Sequence, residues 1–251
     1  MRGLDGKRAI VTGGGAGIGR AICRRLGEEG CVVAIFDIDA DGAAQTASLI
    51  ADAGGGASAY TVDIADYDAV AAAVAAFEAA QGPVDILVNN AGWDKAYRFL
   101  DTDRPFWDKV IAINLYGPLN LCHVVLKGMA ERGSGRVVNI SSDAGRVGSS
   151  GEAVYSACKG GIIAFAKTLA RELSRSGITI NTVCPGPTDT QLLKNVDASG
   201  KLAAALERAI PMRRLAQPED YPGMVAFLVS DDAAYITGQT ISVSGGLTMA
   251  G

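Results

Sequence analysis

The sequence predicts an α/β fold: a single-domain, doubly wound parallel sheet of seven strands with helices on both faces. Short apolar runs alternate with longer stretches of helical spacing along the whole chain. The runs carry near-continuous Val and Ile instead of strict polar alternation, as strands covered on both faces do. The first run opens into a glycine-rich turn ahead of a helical pattern. In order the strands read RAIVTG, CVVAIFD, ASAYTVD, VDILVNN, GRVVNIS, GITINTVCP and QTISVS, and the GGG at 54–56 reads as a turn. With 251 residues, 49% hydrophobic, the chain can bury a sizeable core, and one domain over 1–251 is expected.

Composition excludes several functions. A net charge of -4 and a pI near 5.1 give no electrostatic reason to bind nucleic acid or an anionic membrane, so the expected partner is a small molecule. The opening MRGLDGKRAIVTGG lacks the apolar core of a signal peptide, and no segment offers eighteen uninterrupted apolar residues, so a cytoplasmic protein is expected. Cys23, Cys31, Cys122, Cys158 and Cys184 form no C-x-x-C pair and read as reduced and structural. His123, the only histidine, lies in LNLCHVVL and is expected to pack within a helix. That context, with no G-x-S-x-G elbow, argues against a Ser-His-Asp hydrolase, and no metal site is expected.

The first strand runs into Thr12-Gly13-Gly14-Gly15-Ala16-Gly17-Ile18-Gly19. Bare backbone there can approach a pyrophosphate while the following helix offers unpaired N–H groups and its positive dipole end. Gly13, Gly15, Gly17, Ile18 and Gly19 are the candidate contacts. The spacing G-x-x-x-G-x-G fits neither G-x-G-x-x-G nor the P-loop, and a turn that only packs helix on strand is the competing reading. Asp37 ends the second strand. Its carboxylate can accept from both ribose hydroxyls and would repel a 2′-phosphate, so NAD is expected over NADP. No Lys or Arg occupies Gly14, Gly15 or Ile38. Asp37, Asp39 and Asp41 can equally cap the helix that follows. Asp63, closing the third strand next to Ile64, either meets the adenine amino group or caps the next helix.

The fourth strand leaves through Asn89-Asn90-Ala91-Gly92, a small polar turn over which a ribose can lie. Trp93 and Asp94 follow where a substrate would arrive. Within the helical pattern from Arg104 to Arg132, Asn114 sits among Ile111, Ile113 and Leu115, as a kink device or a member of a water relay. Tyr155 and Lys159, four apart, leave one helix face together, and an ammonium there lowers a phenol's pKa. A phenol titrates near ~10, so work at neutral pH needs about three units, more than one lysine supplies; an oxidised nicotinamide would add a second positive charge. Ser142 can share a substrate oxygen with Tyr155. Ala144 and Arg146 border the same pocket. Arg146 either meets a thioester or a CoA phosphate, or is a solvated loop arginine or one paired with Asp143 or Glu152. The polar helical stretch 188–210, between Pro187 and Pro211, reads as a mobile lid or as an ordinary surface excursion.

Together, T-G-x-x-x-G-x-G at 12–19, N-N-A-G at 89–92, Asn114, Ser142, Tyr155-x-x-x-Lys159 and Pro185-Gly186 resemble the short-chain dehydrogenase/reductase family over essentially the whole chain. The resemblance implies a catalytic tetrad of Asn114, Ser142, Tyr155 and Lys159. It also implies a nicotinamide lined by Pro185, Gly186 and Thr188, ribose contacts from Tyr155 and Lys159, and a homotetramer. Within the family, NNAGWD, SDAGRVGSSGEAVYSACKGG, CPGPTDT and SVSGGLTM are similar to dehydrogenases of 2-hydroxycyclohexanecarboxyl-CoA. That implies NAD-dependent oxidation of a cyclic hydroxyacyl-CoA, a secondary alcohol, to the ketone. The alternatives are a 3-oxoacyl-carrier-protein reductase, usually NADPH-dependent and disfavoured by Asp37, and a dinucleotide-binding sensor, disfavoured because Tyr155 and Lys159 are both kept.

Overall fold

In the computed structural model, which describes residues 1–190 and 201–249, all seven apolar runs are strands of one sheet. They are β1 (Arg8–Thr12), β2 (Val32–Asp37), β3 (Gly56–Thr61), β4 (Ile86–Asn89), β5 (Gly135–Ile140), β6 (Ile178–Pro185) and β7 (Thr240–Val243). The order is β3-β2-β1-β4-β5-β6-β7, and every pairing is parallel. Successive side chains of a strand point to opposite faces, and here both faces are covered. Ala9, Val11, Val33, Ile35, Ile86 and Val88 pack on one side, with α1 (Gly17–Glu28), α2 (Ala40–Asp52) and α9 (Pro222–Val229). Ile10, Ala34, Phe36 and Leu87 pack on the other, with α3 (Tyr67–Gln81), α5 (Gly117–Arg132) and α7 (Ala153–Leu173). The remaining helices are α4 (Arg104–Ile111), the one-turn α6 (Ala144–Val147) and α8 (Lys201–Ala209).

β1 is flanked by β2 on one side and β4 on the other, so the chain departs in opposite directions from this pair. A crevice opens at the carboxyl ends of the strands there, where open α/β sheets bind ligands. The glycine turn leaves β1 on one side of it, and the exits of β4, β5 and β6 stand on the other.

Three details differ from the expectations, and one lies partly beyond the described residues. The helical stretch from Arg104 to Arg132 is not one α-helix: α4 and α5 are joined by a π-helical turn over Ala112–Tyr116, with Asn114 inside it. His123 is exposed instead of packed, and its Nδ1 lies 2.8 Å from the Tyr67 hydroxyl. β3 ends at Thr61, two residues before Asp63, and α3 is capped by Asp66, whose Oδ1 accepts from the N–H of Asp68 and Ala69. Of the expected lid, 191–200 lies outside the described residues; α8 follows, and Ile210 is buried.

Candidate active site

The glycine turn is held by geometry that only bare backbone allows. Gly13 and Gly17 have φ of 64° and 50°, and a Cβ on Gly19 would lie 2.0 Å from the Gly13 carbonyl oxygen. α1 starts from Ala16 without a side-chain cap, which leaves its first-turn N–H groups to a ligand. These residues fit a dinucleotide's pyrophosphate. Asp37 seats against the same turn. Its Oδ2 accepts from Gly15 N at 2.8 Å and its Oδ1 from Asp39 N at 2.9 Å. Two amides do not exhaust the lone pairs of a carboxylate, so capacity remains for ribose hydroxyls.

Asn90 and Ala91 serve this turn from below. Both backbone N–H groups donate to Thr12 Oγ1 at 3.0 Å, and Asn90 Nδ2 donates to the carbonyls of Thr12 and Gly13. Thr12, a mere letter of the motif in the sequence, is therefore the knot between β1 and β4. Asp63 is exposed and its Oδ1 accepts from Ala65 N at 2.9 Å. Ile64 buries its side chain against Gly117, and its carbonyl accepts from Asn120.

On the other side of the crevice, Asn114 is fully buried and clamps the segment after β4. Its Oδ1 accepts from Trp93 N at 3.2 Å, and its Nδ2 donates to Trp93 O at 2.6 Å and Val110 O at 2.9 Å. This geometry matches the kink-device reading. A Cβ on Gly92 would meet Asn114 Oδ1 at 3.0 Å and Lys159 Nζ at 3.4 Å, so the two polar atoms converge beside bare backbone. Lys159 is itself 3% exposed, donating from Nζ to Ile140 O at 3.0 Å, while its own carbonyl accepts from Ser141 Oγ at 2.8 Å. Burial lowers its ammonium to about 8. Ser142 Oγ accepts from Ala144 N at 3.1 Å. α6 meets α7 so closely that a Cβ on Gly145 would lie 2.7 Å from Gly160 N, and this contact brings Ser142 to Tyr155.

Tyr155 and Lys159 stand together on α7, as their spacing predicts. Nζ stands 5.5 Å from the centroid of the Tyr155 ring and spends a hydrogen bond on Ile140. Burial, then the charges of Glu152 and Asp94, push the phenol above its ordinary value, and its hydrogen bond with Ser142 only partly opposes them. The net push of these groups on the phenol is upward.

The four candidate substrate contacts divide. Trp93 is half-buried, 5.9 Å from the Phe106 ring, with Lys109 Nζ 4.0 Å above it. Ala144 is buried at the start of α6. Asp94 is buried, which pushes its carboxyl up to about 7, and its Oδ2 has no hydrogen-bond partner among the described residues. Arg146 Nη1 donates to Ser242 Oγ at 2.8 Å, and that hydroxyl donates to Asp143 Oδ1. Arg146 thus ties α6 to β7. Beyond β6, Pro185 O accepts from Asp143 N, Gly186 N donates to Val243 O, and Thr188 is buried with its hydroxyl on Gly186 O.

A family model described as enoyl-(acyl carrier protein) reductase matches residues 13–248. The chain belongs to the short-chain dehydrogenase/reductase family. It is an oxidoreductase of CH–OH and keto groups on a nucleotide-cofactor fold. Among relatives in this family, an acetoacetyl-CoA reductase of Allochromatium vinosum is 39% identical, over 96% of this chain and 98% of its own. A 3-oxoacyl-[acyl-carrier-protein] reductase of Vibrio cholerae is 36% identical, over 98% and 99%. The solved structure of a single-substitution variant of actinorhodin polyketide ketoreductase with NADPH superposes with a TM-score of 0.93 at 38% identity, covering 98% of this chain and 99% of that one.

Proposed function

We propose that this short-chain dehydrogenase/reductase reduces the keto group of a 3-oxoacyl thioester to the secondary alcohol with NADH, and runs the reverse oxidation at alkaline pH. The observation that carries the reading is the meeting of the Tyr155 phenol and the Ser142 hydroxyl across the crevice from the glycine turn, and the relatives named as reductases support the direction. A protonated phenol is a general acid. The relatives named for acetoacetyl-CoA and 3-oxoacyl carrier substrates support the thioester. When bound, the dinucleotide supplies the hydride. Ser142 holds the ketone oxygen, and Tyr155 Oη gives it the proton. Asn114 fixes the Trp93 backbone beside the reacting carbon, and Lys159 lies buried behind the tyrosine. NADH is preferred to NADPH on the carboxylate of Asp37, which a 2′-phosphate would meet.

Oxidation of a cyclic hydroxyacyl-CoA of the 2-hydroxycyclohexanecarboxyl kind is the second reading, favoured by the flat indole of Trp93 backed by Phe106. Initial rates with acetoacetyl-CoA and with 2-oxocyclohexanecarboxyl-CoA, each with NADH and NADPH, test both. Faster turnover of acetoacetyl-CoA with NADH is expected. Turnover of the cyclic ketone alone would replace the substrate, and preference for NADPH would remove the role given to Asp37.

A further inference from the structure

Tyr221 precedes α9 and is fully buried, part of the core cluster on the α1 side of the sheet. Packing alone asks only for a hydrocarbon there. Its hydroxyl lies 2.6 Å from Thr188 Oγ1 and 3.4 Å from Gly186 O, while Thr188 Oγ1 donates to Gly186 O at 2.8 Å. Two hydroxyl protons serve these three oxygens. With the threonine proton on Gly186 O, the phenol donates to Thr188, and a hydroxyl so engaged offers any third group an acceptor lone pair, not a donor. Burial pushes the Tyr221 phenol up to about 12, so it keeps its proton throughout the usable pH range. The support is rigid: Arg214 holds Asp220 through two bonds of 2.6 and 2.7 Å, and Asp220 Oδ2 accepts from Gln217 N.

Thr188 stands just past β6, at the carboxyl edge of the sheet. Two residues on, Thr190 Cγ2 comes within 3.8 Å of where a Cβ on Gly17 would be, so this segment runs beside the glycine turn. The family resemblance implies a nicotinamide against Pro185, Gly186 and Thr188, so a dinucleotide extended from Asp37 across the crevice would have that end on this side. We propose that Tyr221 is a positioning residue that fixes the Thr188 hydroxyl as the acceptor for the amino group of the nicotinamide carboxamide. The inference rests on the reading above only in requiring a nicotinamide dinucleotide.

The test is calorimetric titration of the wild type, Tyr221→Phe and Thr188→Val with NAD and with 3-acetylpyridine adenine dinucleotide, whose acetyl group has no N–H. Tyr221→Phe is expected to weaken NAD about fivefold, the worth of one hydrogen bond, and to leave the acetyl analogue unchanged. Thr188→Val should abolish the wild type's preference for NAD and make Tyr221→Phe silent when the two are combined. Equal weakening of both dinucleotides would make Tyr221 a packing residue, and no change in either would leave its phenol without a role; each outcome overturns the proposal. A wild type that binds both dinucleotides but reduces no thioester would sink the proposed function and leave this inference standing.

Discussion

The two sides of the crevice are built from different materials. On the β1 side, the glycine turn and the first turn of α1 present main chain, and the decisive feature is the absence of side chains: a Cβ on Gly19 has nowhere to go. On the β4–β6 side, Asn114, Ser142, Tyr155 and Lys159 present side chains delivered by a π-helical turn, a strand exit and one helix. One side is therefore broken by adding atoms and the other by removing them. Binding and chemistry should separate accordingly.

The largest effect is expected from removing one atom. Tyr155→Phe takes away the proposed proton donor and should lower kcat by about 10²–10⁴ or more while the dissociation constant for NADH, read by fluorescence titration, stays put. Retained turnover would leave the chemistry without its acid.

Lys159→Met tests the same side through stability. The buried ammonium titrates at about 8 against an ordinary 10.5, so between those values the unfolded chain holds a proton that the folded one has released. Stability from this group therefore rises with pH across that window; below it the full burial penalty applies, on the order of 3 kcal/mol. Burial raises the thiols of Cys23, Cys31, Cys122, Cys158 and Cys184, which tilt both proteins the other way above 9, so the quantity to read is the difference between the two proteins. Denaturant unfolding should show the Met variant gaining most near neutrality, with its advantage shrinking from pH 8 to 10.5. A difference that is flat with pH would mean that Lys159 is not desolvated.

Adding one atom on the opposite side should do the reverse of Tyr155→Phe. Gly19→Ala forces the turn off the Gly13 carbonyl, with a loss of about 1–3 kcal/mol of stability and of dinucleotide binding. Binding at wild-type strength would show that the turn only packs helix on strand. Asp37→Ala should weaken NADH by about tenfold and improve NADPH, since it removes an acceptor in one case and a repulsion in the other.

The same division decides what could be read in the sequence. The glycine turn is legible because its constraint is local: consecutive residues carry it, next to the strand and helix that use it. Seven strands are legible because both faces of each are buried, which leaves apolar runs. The π-helical turn around Asn114 is hidden inside an unbroken helical pattern, and three nearby aspartates in VDIADYD gave no local reason to prefer Asp66 to Asp63 as the cap. The upward push on the Tyr155 phenol comes first from burial and then from Glu152 and Asp94, and the burial and Asp94 reach it only in the folded chain. Tyr221 finds Thr188 33 residues away.

Arg146 is where that distinction is sharpest, and its substitution should have the smallest effect. In sequence it stands beside Ser142 and invites a role toward a thioester or a phosphate; in the fold its Nη1 reaches Ser242, 96 residues on, and through that hydroxyl the buried Asp143. Arg146→Ala should cost on the order of 1 kcal/mol, a fall of about 2–4 °C in Tm. Because α6 begins two residues after Ser142, which in the proposed function holds the oxygen of every substrate, any loosening should raise KM for acetoacetyl-CoA and for a small uncharged ketone by the same factor. A KM that rises for the CoA ester alone would mean that the guanidinium also reaches the substrate, and that the side-chain half of the crevice extends onto α6.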